Sequence, residues 1–282
     1  QGTTPTTTGA GTGSTSVTPA APPILNLGDV CLIVASTKPD TATINTPSGW
    51  TLATSLAGGG GTTGVDSGPT NTAVFYRVKD ASWSTMPTIS ITGGNSSIAQ
   101  AFAYQNGNNG WSVAAASGAD VTTGAAWSVT CSSNPDLTAG DMCFVASSIP
   151  TDVTTPSQFT GEAITATGAT FGAMTELSEP ETTTGNDIGG FTFQVPVTTG
   201  TSTAAPVITA TAGGTTTNVR GVSILVRLRE VANTAPVANA GSDQSVSVSV
   251  ASTLRTIASR RNMHYQDWIT DRKSTRLNSS HD

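Results

Sequence analysis

Three glutamates stand close together in Glu176-Leu177-Ser178-Glu179-Pro180-Glu181. Paired carboxylates are the acid and base of glycoside hydrolysis, so this is where such chemistry could sit. The plainer account is a solvated acidic loop leading into Thr182-Thr183-Thr184-Gly185, and the polar surroundings favour it. Nucleophilic catalysis by Ser or Cys needs a base, usually His, within hydrogen-bond reach. The two histidines are His264 and His281, so nothing before residue 264 can complete the common triads. Cys31, Cys131 and Cys143 lack Cys-x-x-Cys spacing and do not read as a zinc site. Loop carboxylates such as Asp66 or Asp187 could meet calcium, but no EF-hand-like spacing surrounds them. Gly58-Gly59-Gly60-Gly61-Thr62-Thr63-Gly64 lacks the Gly-Lys-Ser/Thr of a phosphate loop and reads as a hairpin loop. The expectation is therefore no catalytic residues, no cofactor and no metal.

Two aromatic residues remain as contact candidates. Trp83, in Ala81-Ser82-Trp83-Ser84, and Trp111, after Asn106-Gly107-Asn108-Asn109-Gly110, stand in polar, loop-like sequence. An exposed Trp there would suit sugar stacking or a protein contact, but packing under a loop is the favoured reading. Trp50 is expected in the first core.

These residues must be carried by strands. Short runs rich in Val, Ile, Thr and Phe alternate with period two, and Gly/Asn/Ser clusters such as Gly93-Gly94-Asn95-Ser96 separate them. No helical period lasts beyond two turns. The expected class is all-β: two tandem antiparallel β-sandwich modules, immunoglobulin-like or jelly-roll-like, with a truncated third.

A duplication supports that organisation. Leu27-Gly28-Asp29-Val30-Cys31-Leu32-Ile33-Val34-Ala35-Ser36 parallels Ala139-Gly140-Asp141-Met142-Cys143-Phe144-Val145-Ala146-Ser147-Ser148, 112 positions later. Each copy continues into a Thr/Pro segment, an apolar strand (Thr72–Val78 or Gly190–Val195) and a Pro-led strand (Pro87–Thr92 or Pro206–Thr211). Asp29 and Asp141 follow Gly at a strand entry, where an Asx turn explains them. Cys31 and Cys143 fall at equivalent apolar positions, in separate modules, and read as buried small hydrophobes. Cys131 could bridge to Cys143 across neighbouring strands. The expected layout is a Thr/Gly/Pro linker (1–21), module 1 (22–116) and module 2 (117–231). An Ig-like start (232–250) and a chimeric, adapter-derived tail (251–282) follow.

Composition narrows the classes of function. Only 11% of the 282 residues are charged, and the net charge is −6. A typical soluble domain has about 25% charged residues. Six basic residues face fourteen acidic ones through Glu230, giving −8, whereas six face four beyond it, giving +2. No basic stripe suggests nucleic acid, and no run of 18 apolar residues suggests a membrane-spanning helix. At the far end, Asp271–His281 back-translates into eleven codons that resemble a common short-read sequencing adapter.

The pattern Leu25-x-x-Gly28-Asp29-Val30, followed by Pro47-Ser48-Gly49-Trp50-Thr51-Leu52 and Val74-Phe75-Tyr76-Arg77-Val78, resembles a recurrent module. That module occurs in phage structural and tail-associated proteins and in secreted bacterial repeat proteins. The first copy carries the likeness over roughly residues 22–107; the second has Pro156-Ser157-Gln158-Phe159 in place of the Pro-Ser-Gly-Trp element. Ala235-Pro236-Val237-Ala238-Asn239-Ala240-Gly241-Ser242-Asp243-Gln244-Ser245-Val246 resembles the opening strand of a polycystic-kidney-disease-type immunoglobulin-like domain. Together these imply a non-catalytic structural or adhesion protein, extracellular, on a virion or bacterial cell surface. Its partners would be other copies, neighbouring structural proteins or surface glycans, without nucleic acid or membrane insertion. The alternative is a carbohydrate-binding accessory module of a larger secreted enzyme.

Overall fold

The computed structural model describes residues 11–13, 15–59, 62–63, 66–67, 69–106, 110–122, 124–150, 159–182, 188–212 and 220–232. The expected Ig-like start, apart from its first residue, and the adapter-like tail lie outside them.

The described residues form strands joined by turns, with no helix. The first half contains β1 (Gly11–Gly13), β2 (Ser16–Val17), β3 (Val30–Lys38), β4 (Thr43–Ile44), β5 (Thr51–Gly58), β6 (Thr62–Thr63), β7 (Asp66–Ser67), β8 (Thr70–Val78), β9 (Ile89–Thr92) and β10 (Ser96–Tyr104). The second contains β11 (Gly110–Asp120), β12 (Ala126–Thr130), β13 (Met142–Ile149), β14 (Phe159–Thr165), β15 (Ala169–Phe171), β16 (Thr175–Ser178), β17 (Glu181–Thr182), β18 (Ile188–Gly200), β19 (Val207–Ala212) and β20 (Gly221–Val231).

The duplication seen in the sequence is a duplication of topology. The larger sheet of the first half runs β1-β10-β3-β8-β5, and that of the second β11-β20-β13-β18-β15, with β16 and β17 also on β18. The smaller sheets run β2-β9-β4 and β12-β19-β14. Adding ten to each label of the first half gives the second. All these pairings are antiparallel, and β6 with β7 makes a separate two-stranded hairpin.

Each half is a sandwich around its own core. In the first, Cys31, Ile33 and Ala35 of β3 meet Ile89 and Ile91 of β9, with Trp50 and Phe75 alongside. Trp50 arrives there through a turn in which its N–H donates to the Pro47 carbonyl (3.1 Å). Gly49 at the third position has φ +79°, the conformation such a turn requires there. In the second, Cys143 and Val145 of β13 meet Trp127, Phe159, Phe191 and Phe193.

The halves are not beads on a string. The even-numbered residues of β3 (Val30, Leu32, Val34) point away from the first core into a third one. There they join Phe102, Tyr104, Phe144, Ala146, Ile224, Val226 and Leu228. The two larger sheets thus lie face to face, and β3 and β10 are buried along their whole length. Phe102 and Phe144 meet across this seam with ring centroids 4.9 Å apart. Burying one such side chain stabilises by about 1.5–3 kcal/mol. A seam of this size outweighs the small polar contacts usual between domains of one chain.

Two expected boundaries shift. β11 runs across the 116/117 division and pairs along its length with β20, so it belongs to the second sandwich from Gly110 onward. The 1–21 linker also carries structure: β1 pairs with β10, and Val17 of β2 pairs with Ile89 and is buried in the first core. One apolar residue in a Thr/Gly/Pro tract was enough, because β9 offered it an open edge.

Candidate functional site

The entry to each long strand is built the same way. Gly28 and Gly140 have φ +91° and +93°, and each is followed by a buried aspartate. Asp29 Oδ2 accepts the N–H of Asn26, and Asp141 Oδ2 that of Thr138, both at 2.7 Å. The second carboxylate also accepts from Arg229 Nε at 2.7 Å and Nη2 at 2.9 Å.

Beside this second loop opens a cleft of about 650 Å³, lined by Tyr104, Trp111, Asp141, Pro196, Arg229 and Glu230 among others. Trp111 stands on β11, half-buried, and its Nε1 donates to the Gly28 carbonyl (2.9 Å). That bond fixes the indole plane at the cleft wall and ties the second sandwich to the first. The Tyr104 hydroxyl is buried without a hydrogen-bond partner, and burial pushes its pKa well up, so the phenol stays protonated. The cleft thus sets the half-buried indole of Trp111 beside the ion-paired guanidinium of Arg229, with Tyr104 packed beneath.

Trp83 behaves otherwise. It is only 5% exposed, edge-on to Trp50 with centroids 4.9 Å apart, and donates to the Thr85 carbonyl (2.6 Å). Arg77 and Lys79 lie over its ring at 5.4 and 5.0 Å. Trp83 therefore packs under its loop, and its candidacy as an exposed contact is corrected: the Trp50 edge, not solvent, receives the indole. The two tryptophans are not brought together into one site.

The glutamates separate too. Glu181 pairs with Gly189 in β17 and is exposed. Glu176 and Glu179 converge instead with Glu162, which the sequence reading did not single out: one carboxylate oxygen from each lies within 4.8 Å of the others. None of the three lines the cleft beside Trp111. Burial raises the Glu176 pKa, and the charges of Glu179 and Glu162 raise it further.

The thiols are free and buried, with no Cys131–Cys143 bridge. Burial pushes Cys131 up to about 12 and the other two higher still, so none offers a thiolate near neutrality. No helix among the described residues is long and apolar enough to cross a membrane. No protein-family model, curated protein or solved structure matches this chain.

Proposed function

We propose that this is a non-catalytic structural or adhesion protein of a phage particle or bacterial surface. The observation that carries the reading is the seam: two copies of one sandwich are clamped face to face by a third apolar core. A spacer or decoration must hold its shape under load, and burial of the central strands β3 and β10 on both faces gives that stiffness. The resemblance of the Gly28-Asp29-Val30 and Pro47–Leu52 segments to phage and surface repeat modules points the same way. The buried, protonated thiols and the placement of the histidines beyond residue 260 leave little for covalent chemistry to use.

The experiment is immunogold labelling with antibody against the full chain, on particles and on cells that carry the gene. Gold on virions or on the cell envelope is the expected result, and which of the two carries it decides between them. Label confined to the soluble interior would overturn the reading.

The cleft beside Trp111 favours a second reading, an accessory module that binds carbohydrate for a larger secreted enzyme. On a glycan array this reading predicts binding that Trp111→Ala weakens. A purely structural role predicts none.

A further inference from the structure

Glu162 is brought inward by a bulge. Between Thr160 and Ala163, β14 has two residues where β19 has only Ala210, and Gly161 takes φ +69°. Glycine in that conformation is the usual first residue of such a bulge, which re-aims the next side chain. The outcome is a glutamate only 5% exposed whose Oε1 is buried with no hydrogen-bond partner. Among the described residues no lysine or arginine forms an ion pair with Glu162 or with Glu176. A buried carboxylate oxygen without a partner is costly, and here two more carboxylates crowd it.

We infer that Glu162, Glu176 and Glu179 form a calcium site that fastens the two sheets of the second sandwich at their open edge. Glu162 belongs to β14, at the edge of the smaller sheet, and Glu176 to β16, on the larger. Glu179 follows β16 and reaches back to β14, where its Oε1 accepts the Phe159 N–H at 2.7 Å. The spacing suits the ion. Calcium binds oxygen at about 2.3–2.6 Å, so two ligands on opposite sides stand roughly 4.6–5.2 Å apart. The three oxygens fall within 4.8 Å of one another. Magnesium, at about 2.0–2.1 Å, demands a near-ideal octahedron and keeps several of its waters, so three carboxylates suit it less. Glu176 is exposed, which leaves room for water to complete the shell.

The test uses the full chain stripped of metal with chelator, then titrated with calcium or magnesium while heat of binding and thermal midpoint are read. Half-saturation by calcium near 0.1–1 mM is expected, the range of extracellular modules. Saturation should raise the midpoint by about 5 °C, and magnesium should do less. Glu162→Gln should fold, be at least as stable as the metal-free parent, and lose the calcium response. Glu176→Gln should weaken the response, which a general salt effect would not explain. The inference is overturned if calcium up to 10 mM gives neither heat nor shift. It is equally overturned if calcium and magnesium act alike in the parent and in Glu162→Gln.

Discussion

Asp29 and Asp141 do the same work in the two halves: each buried carboxylate accepts the N–H of the residue three positions earlier at 2.7 Å. They differ in their second partner. Asp29 Oδ1 accepts the Asn106 N–H at 3.0 Å, whereas Asp141 is gripped by Arg229 through two bonds. Replacing Asp29 by Ala strands two backbone donors and should cost about 1–3 kcal/mol. Asp141→Ala also removes two bonds from Arg229, which keeps Asp136 and Thr138 as partners, so it should cost somewhat more, about 2–4 kcal/mol. Denaturant unfolding of the two variants checks the order.

Trp127 anchors the second core. It is 1% exposed, edge-on to Phe191 at 5.5 Å, and its Nε1 donates to Ser223 Oγ at 3.1 Å. Trp127→Ala should cost about 3–5 kcal/mol. Trp127→Phe should recover much of the packing while leaving Ser223 with its other partner, Ser147, at 2.7 Å.

The thiols set an alkaline limit. Their folded pKa values lie above the unfolded value of about 8.5, so the folded state holds these protons more tightly. Their contribution is complete below pH 8.5 and is lost as pH rises towards the folded values, at about 1.4 kcal/mol per thiol per pH unit. Stability should fall steeply between pH 9 and 11, and Cys131→Ala should soften the fall. Alkylation at pH 8 should be negligible until the protein unfolds.

Glu176 works in the opposite direction from an ordinary salt-bridged carboxylate. Its raised pKa means that its ionisation opposes folding, with Glu162 on β14 and Glu179 facing it. Stability from this group is fully present below about pH 4.3 and lost as pH rises through its folded value. Without calcium, Glu176→Gln should therefore be more stable than the parent at pH 7 and equal to it near pH 4.

Much of the fold was legible in the sequence. Ile89–Thr92 alternates buried and exposed as its Ile-Ser-Ile-Thr pattern requires. The 112-residue offset between Cys31 and Cys143 marked equivalent strands before any pairing was known. The seam was harder to read, although Val30-Cys31-Leu32-Ile33-Val34-Ala35 carries its signal. A strand covered on one face alternates, and this run is apolar at every position. Trp83 kept two readings because its neighbours Ala81, Ser82 and Ser84 are those of a loop, while the partner that buries it, Trp50, is remote in sequence. Glu162 was missed because its burial follows from a bulge at Gly161, and one glycine before one glutamate does not announce a bulge.

Phe144 tests the seam locally. It sits on β13 between Phe102 and Tyr104, with centroids at 4.9 and 6.4 Å. Phe144→Ala should cost about 3–5 kcal/mol although it touches neither sandwich's own core. Phe144→Asp should loosen one half from the other, read as new cleavage between residues 104 and 110 in limited proteolysis.

The most direct measurement is differential scanning calorimetry of the full chain, because the account rests on two sandwiches acting as one body. It predicts a single transition for residues 11–232, with calorimetric and van't Hoff enthalpies equal. Two separable transitions, or a calorimetric enthalpy about twice the van't Hoff value, would contradict it.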